Sequence, residues 1–85
     1  MRLDKYLKVS RLIKRRTVAN EACDGGRVSV NGRQAKASYE VKVGDVITVG
    51  FGEHKTVAEV LAVSENVRKE AAASMYRIIE DNFQQ

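Results

Sequence analysis

Leu3, Tyr6, Leu7 and Ser10 recur at i, i+3, i+4 and i+7, the spacing that lines one stripe of an α-helix, while Lys5 and Lys8 fall on the opposite side. At about 100° per residue Leu12 would land among those lysines, so this helix is expected to end near Ser10 or Arg11. A turn then runs from Arg11 to Arg16. Thr17 is read as a helix-start residue, followed by an apolar face of Val18, Ala19, Ala22 and Cys23, with Asn20, Glu21 and Asp24 turned outward. Gly25-Gly26 closes the second helix, because glycine accepts the left-handed conformation of a helix C-terminus without steric cost.

The period then changes from helix to strand. Val28 and Val30 alternate with Ser29, and Asn31-Gly32 is the dipeptide favoured in a tight type I′ hairpin turn. Val41, Val43, Val46, Ile47 and Val49 form a further strand-rich region, interrupted at Gly44-Asp45 and followed by a turn at Gly50-Phe51-Gly52. Thr56 to Val63 is β-branched and apolar enough for a last strand. From about Asn66 the pattern returns to helix, with Val67, Ala71, Met75 and Ile78 on one face, Ala72 and Ile79 beside them, and Phe83-Gln84-Gln85 as a frayed end. The expected order is α-α-β-β-β-β-α. That is an α+β fold: two N-terminal helices on a small, mostly antiparallel sheet, plus a C-terminal helix packed on that sheet.

At 85 residues the chain makes one domain, with no room for a catalytic lobe or a large substrate cavity. No apolar run approaches the roughly 18 residues of a membrane span and the N-terminus lacks a signal-peptide pattern, so a soluble, cytoplasmic protein is expected. The one cysteine, Cys23, excludes an internal disulfide and sits on an apolar helix face, which reads as a small core residue. His54, the sole histidine, has no serine or cysteine near it in sequence and reads as an ordinary surface residue. No metal-ligand spacing and no phosphate-cradling glycine motif is present. Neither an enzyme nor a cofactor is expected.

Charge is unevenly spread. Residues 1–36 carry ten bases and three acids, a net of +7, whereas residues 37–85 carry five bases and eight acids, a net of −3. The basic half has the density of a polyanion footprint. Within it, Lys14-Arg15-Arg16-Thr17 stands at a helix start, where the macrodipole is already positive and each added cation costs about 0.3–1 kcal/mol. A phosphate reverses that sign, since the helix N–H groups, the Thr17 hydroxyl and the guanidinium groups all donate to one anion. Arg2, Lys5, Lys8 and Arg11 extend the patch if the two helices pack side by side. Arg33 and Lys36, just past the hairpin turn, are further candidates, although a plain hairpin explains Asn-Gly without any ligand. Tyr6, Tyr39 and Phe51 are too few for a base-stacking platform, so shape and phosphate recognition of folded RNA suits the chain better.

Four blocks carry a resemblance: Met1-Arg2-Leu3-Asp4-Lys5-Tyr6-Leu7, Lys14-Arg15-Arg16-Thr17-Val18-Ala19, Gly26-Arg27-Val28-Ser29-Val30-Asn31-Gly32-Arg33 and Val43-Gly44-Asp45-Val46-Ile47. In order and spacing, over roughly residues 1–50, they resemble the RNA-binding domain first named for ribosomal protein S-four of the small subunit. Arg15 departs from the family, which often has serine there. The resemblance implies an RNA-binding domain over 1–64 with its core motif in 1–50, and a C-terminal helix and tail over 65–85 in the same structural unit. The Arg15-Arg16 pair and the segment from Val67-Arg68-Lys69-Glu70-Ala71 to Tyr76-Arg77-Ile78 are most similar to the RqcP family of stand-alone proteins, relatives of the small ribosome-associated heat-shock protein. This implies a non-enzymatic factor of bacterial ribosome-associated quality control, one that binds large-subunit ribosomal RNA and peptidyl-tRNA. It would be monomeric and work with RqcH in template-free alanine tailing; the alternative is a heat-shock-type rescue or ribosome-assembly protein without tailing. By motif position Arg2 and Arg16 are the leading RNA contacts, supported by Arg11, Lys14, Arg15 and Thr17.

Overall fold

The structure, a computed structural model, describes residues 1–65 and 68–83. Helix α1 spans Leu3–Val9 and α2 spans Arg16–Asp24, the two packing against one another. Strands β1 (Val28–Val30), β2 (Arg33–Gln34), β3 (Val46–Phe51) and β4 (His54–Val60) follow. A single-turn helix α3 (Lys69–Ala72) and a 3-10 turn (Ala73–Met75) then lead into β5 (Tyr76–Phe83). The sheet is antiparallel throughout, in the order β2-β1-β3-β4-β5.

The apolar stripe of α1 is buried as its spacing requires: Leu3, Tyr6 and Leu7 are fully enclosed, with Ala19, Ala22 and Cys23 of α2 and Val28, Val30, Ile47 and Val49 of the sheet. Val18, assigned to the same face of α2, instead stands exposed. Asn20, expected to face outward, is half-buried between the helices. The helix boundary also moves, since α2 begins at Arg16 with Arg15 as its N-cap, and Thr17 lies inside the first turn without capping anything.

The turn expected at Asn31-Gly32 forms, whereas Gly50 and Phe51, expected in a turn, are the last residues of β3, and the chain turns at Gly52-Glu53 instead. Asn31 (φ 54°) and Gly32 (φ 82°) are both left-handed, as a type I′ turn demands, and set Val30 opposite Arg33. Asn31 also fixes where the hairpin sits: its Nδ2 donates to Asp45 Oδ1 at 3.0 Å while its Oδ1 accepts from the Val46 N–H at 2.9 Å. The hairpin is thereby tied to the first residue of β3.

The C-terminal region departs most from expectation. A helix is present, but it is one turn long, and Tyr76 to Ile79 run as strand. Tyr76, Ile78 and Ile79 favour strand geometry, and β4 offers an open edge whose N–H and C=O groups need partners. Pairing β5 along the full length of β4, from Val60↔Tyr76 to His54↔Phe83, satisfies them. Asn66, Val67, Gln84 and Gln85, named in the helix and frayed-end expectations, lie outside the described residues.

Candidate nucleic-acid interface

The first N–H groups of a helix have no partner within it, and α1 and α2 treat them differently. In α1 they are spent on the chain itself: Leu3 N donates to the Tyr39 carbonyl at 2.8 Å, Asp4 N to the Ala37 carbonyl at 3.2 Å, and Lys5 N to Asp4 Oδ1 at 2.8 Å. Val41 N donates to the Met1 carbonyl at 2.9 Å, and the N-terminal ammonium pairs with Glu40. In α2, among the described residues, no hydrogen bond reaches the N–H groups of Arg16, Thr17 or Val18, and its first turn carries no acid. The open helix end is therefore the one that carries Lys14, Arg15 and Arg16, all exposed.

Asp4 joins the two helices. Its side chain is only 3% exposed, and its carboxylate receives Arg2 Nε at 3.2 Å, Arg16 Nε at 3.5 Å and Asn20 Nδ2 at 3.2 Å. Arg2 Nη2 also lies 3.4 Å from Asp4 Oδ2. Burial pushes the Asp4 carboxyl upward, but the Asn20 amide, the Arg16 charge, the Lys5 N–H and the Arg2 charge outweigh it and hold it below the usual carboxylate range. The anion is thus kept, and it sets the direction of two guanidinium groups whose side chains stay about half exposed, at 50% and 49%. A preset guanidinium loses less freedom on meeting a phosphate than a free one.

The other candidates divide by position. Lys8, Arg11, Lys14, Arg15 and Thr17 are exposed on the helices and the loop between them. Arg11 has φ 66° at the position just after the Ser10 C-cap of α1, a place that normally falls to glycine. Lys5 is engaged within the chain, its Nζ 2.7 Å from Glu65 Oε1. Arg33 lies exposed on the edge strand β2, and among the described residues no hydrogen bond or ion pair joins it to the Asp4 cluster. Cys23 is buried, and burial followed by the charges of Asp4 and Asp24 pushes its thiol up to about 11, which suits a core residue.

Sequence reasoning missed Asp4 and Asn20, the two residues that organise the site. A signal was present: Asp4 sits three residues before Leu7 at the border of the apolar stripe, where an acid is costly unless it has partners. Among the described residues no group of three or more His, Cys, Asp or Glu is placed to hold a metal ion, and no helix is long and apolar enough to cross a membrane.

The chain resembles known proteins over most of its length. Residues 1–47 match the S4 domain. The chain is 56% identical to the RQC P-site tRNA stabilizing factor of Bacillus subtilis over 95% of its length and 94% of that protein. It is 53% identical to the factor of the same name from Streptococcus pneumoniae, over 95% of this chain and 92% of the other. Among solved structures, the trimeric structure of Vibrio cholerae heat shock protein 15 superposes with a TM-score of 0.85 at 34% identity, covering 92% of this chain and 80% of that one. The chain therefore belongs to the S4 domain family of RNA-binding proteins, in the branch of the RQC P-site tRNA stabilizing factors.

Proposed function

We propose that this protein is a non-enzymatic, cytoplasmic factor of ribosome-associated quality control that binds large-subunit ribosomal RNA together with peptidyl-tRNA. In that role it supports the template-free alanine tailing carried out with RqcH. The observation that carries this reading is the pair Arg2 and Arg16 fixed on the buried Asp4 carboxylate, beside the open, cation-rich end of α2. Such a surface supplies salt-dependent affinity through phosphate neutralisation and selects an RNA by the shape that fits two helices at once. The likeness to factors named for stabilising the P-site tRNA supports the second RNA partner. The structural likeness to heat shock protein 15 keeps a rescue role without tailing as the second reading.

Deleting the gene and measuring alanine tails on a stalled reporter protein separates the two. The first reading expects tails to fall sharply and return with the gene; tails at normal abundance would leave only the second.

A further inference from the structure

Residues 35–45 contain no helix and no strand of the sheet, yet they carry the start of α1. The Ala37 and Tyr39 carbonyls accept from Asp4 N and Leu3 N, and Val41 N donates to the Met1 carbonyl, which sets Arg2 opposite Glu40 in an isolated antiparallel bridge. The backbone on either side of Arg2 is therefore held by this segment, and its guanidinium reaches Asp4 from there. Arg16 reaches the same carboxylate from α2, which, among the described residues, makes none of these backbone bonds.

A segment with no ladder of its own needs another anchor, and Asp45 supplies one. Asp45 is only 8% exposed. Its Oδ1 accepts from Asn31 Nδ2 at 3.0 Å, and its Oδ2 accepts from the Tyr39 hydroxyl at 3.1 Å and the Lys42 N–H at 2.9 Å. Asp45 is itself fixed to the sheet, because it immediately precedes β3 and its carbonyl accepts from Val60 N of β4 at 2.8 Å. Burial pushes its carboxyl upward, but the Lys42 N–H, the Asn31 amide, the Tyr39 hydroxyl and the Lys42 charge hold it below the usual carboxylate range. All three donors thus meet an anion, the stronger kind of acceptor. Tyr39 uses both ends: its hydroxyl is spent on Asp45 and its carbonyl on Leu3 N, so one residue joins the sheet to the neighbour of Arg2.

We infer that Asp45 is a positioning residue for Arg2, acting through the Tyr39 hydroxyl and the backbone of residues 37–41. The inference rests on the functional reading above, in which Arg2 touches RNA. Asp4 sets the aim of the guanidinium at its tip, and Asp45 sets the place from which the side chain starts. A side chain whose backbone wanders has more freedom to lose on meeting a phosphate, and that loss is taken from affinity. Releasing the segment therefore weakens the Arg2 contact without removing any cation. Asp45 itself is buried and anionic, so its part is played at a distance from the RNA.

The test is a double-mutant cycle on the full chain, read as affinity for large subunits. Tyr39→Phe removes the hydroxyl alone and is expected to weaken binding about threefold. In an Arg2→Ala background the same change should cost less than about 1.5-fold, whereas in a Lys14→Ala background the full loss should persist. Asp45→Asn, which keeps the shape and removes the anion, should weaken the parent at least as much, and its loss should shrink likewise once Arg2 is replaced. For either variant, equal losses in the parent and Arg2→Ala backgrounds would overturn the inference, because a general loosening of the fold acts whether or not Arg2 is present. Parent-level binding by Tyr39→Phe would overturn it as well. If Arg2→Ala alone binds like the parent, Arg2 is no RNA contact, and the site of the functional reading fails together with the inference. Binding is measured well below the melting temperature of the least stable variant, so that every comparison is made between folded proteins.

Discussion

Asn20 Nδ2 donates to Asp4 Oδ2 at 3.2 Å, so a side chain of α2 reaches the one buried carboxylate of α1. The bond closes a cluster in which a single anion links the two helices and sets the aim of Arg2 and Arg16. Charge and positioning can be separated at this point, because removing Asp4 raises the net positive charge while releasing both arginines.

Asp4→Asn is expected to weaken binding to large subunits even though the variant is more basic. Stronger binding would show that charge alone matters. Because the Asp4 carboxyl is held below its usual range in the folded protein, its contribution to stability is fully present above the unfolded value and is lost as pH falls through the folded one. At pH 7 the variant should lose about 1–3 kcal/mol. Melting curves of parent and variant should converge in acid, below the usual carboxylate range, and a constant gap at every pH would contradict the account.

Arg11 occupies a left-handed position at the end of α1, with its N–H donating to the Lys8 carbonyl at 3.1 Å and the Ile13 N–H donating to the Leu7 carbonyl at 3.0 Å. A β-carbon is unfavourable there by about 1 kcal/mol. Arg11→Gly should therefore raise the melting temperature by several degrees and weaken binding to large subunits. A variant that is both more stable and equally well bound would show that the side chain has no part in recognition.

The fold is closed by Met75, whose carbonyl accepts from Leu61 N at 2.8 Å, Ala62 N at 3.1 Å and the buried Tyr6 hydroxyl at 2.8 Å. Tyr6→Phe should cost about 0.5–1.5 kcal/mol, because the carbonyl keeps its two backbone donors. Denaturant unfolding measures this, and a loss above about 3 kcal/mol would mean that the hydroxyl does more than make one hydrogen bond.

The parts of this structure that were legible in the chain depend on local rules. Helical spacing placed Leu3, Tyr6 and Leu7, and the backbone needs of a two-residue turn placed Asn31-Gly32. What was not legible depends on partners distant in sequence. Whether Ile78 and Ile79 join a helix or a strand is decided by the open edge of β4, not by their own spacing. Asp4 and Asn20 lie 16 residues apart, and neither is unusual until the helices pack. The basic half was visible as a count, but the joining of Arg2 and Arg16 through Asp4 appeared only with the helices packed.

The central claim, that Arg16 on Asp4 is a ribosomal RNA contact, is tested most directly by pelleting Arg16→Ala with large subunits and melting the same preparation. The half-exposed ion pair lost is worth about 0–1 kcal/mol, and removing a cation from the positive end of α2 returns a similar amount. The account predicts a melting temperature within a few degrees of the parent and binding weakened by roughly tenfold or more. Co-sedimentation at the parent's level, with the fold intact, would contradict it.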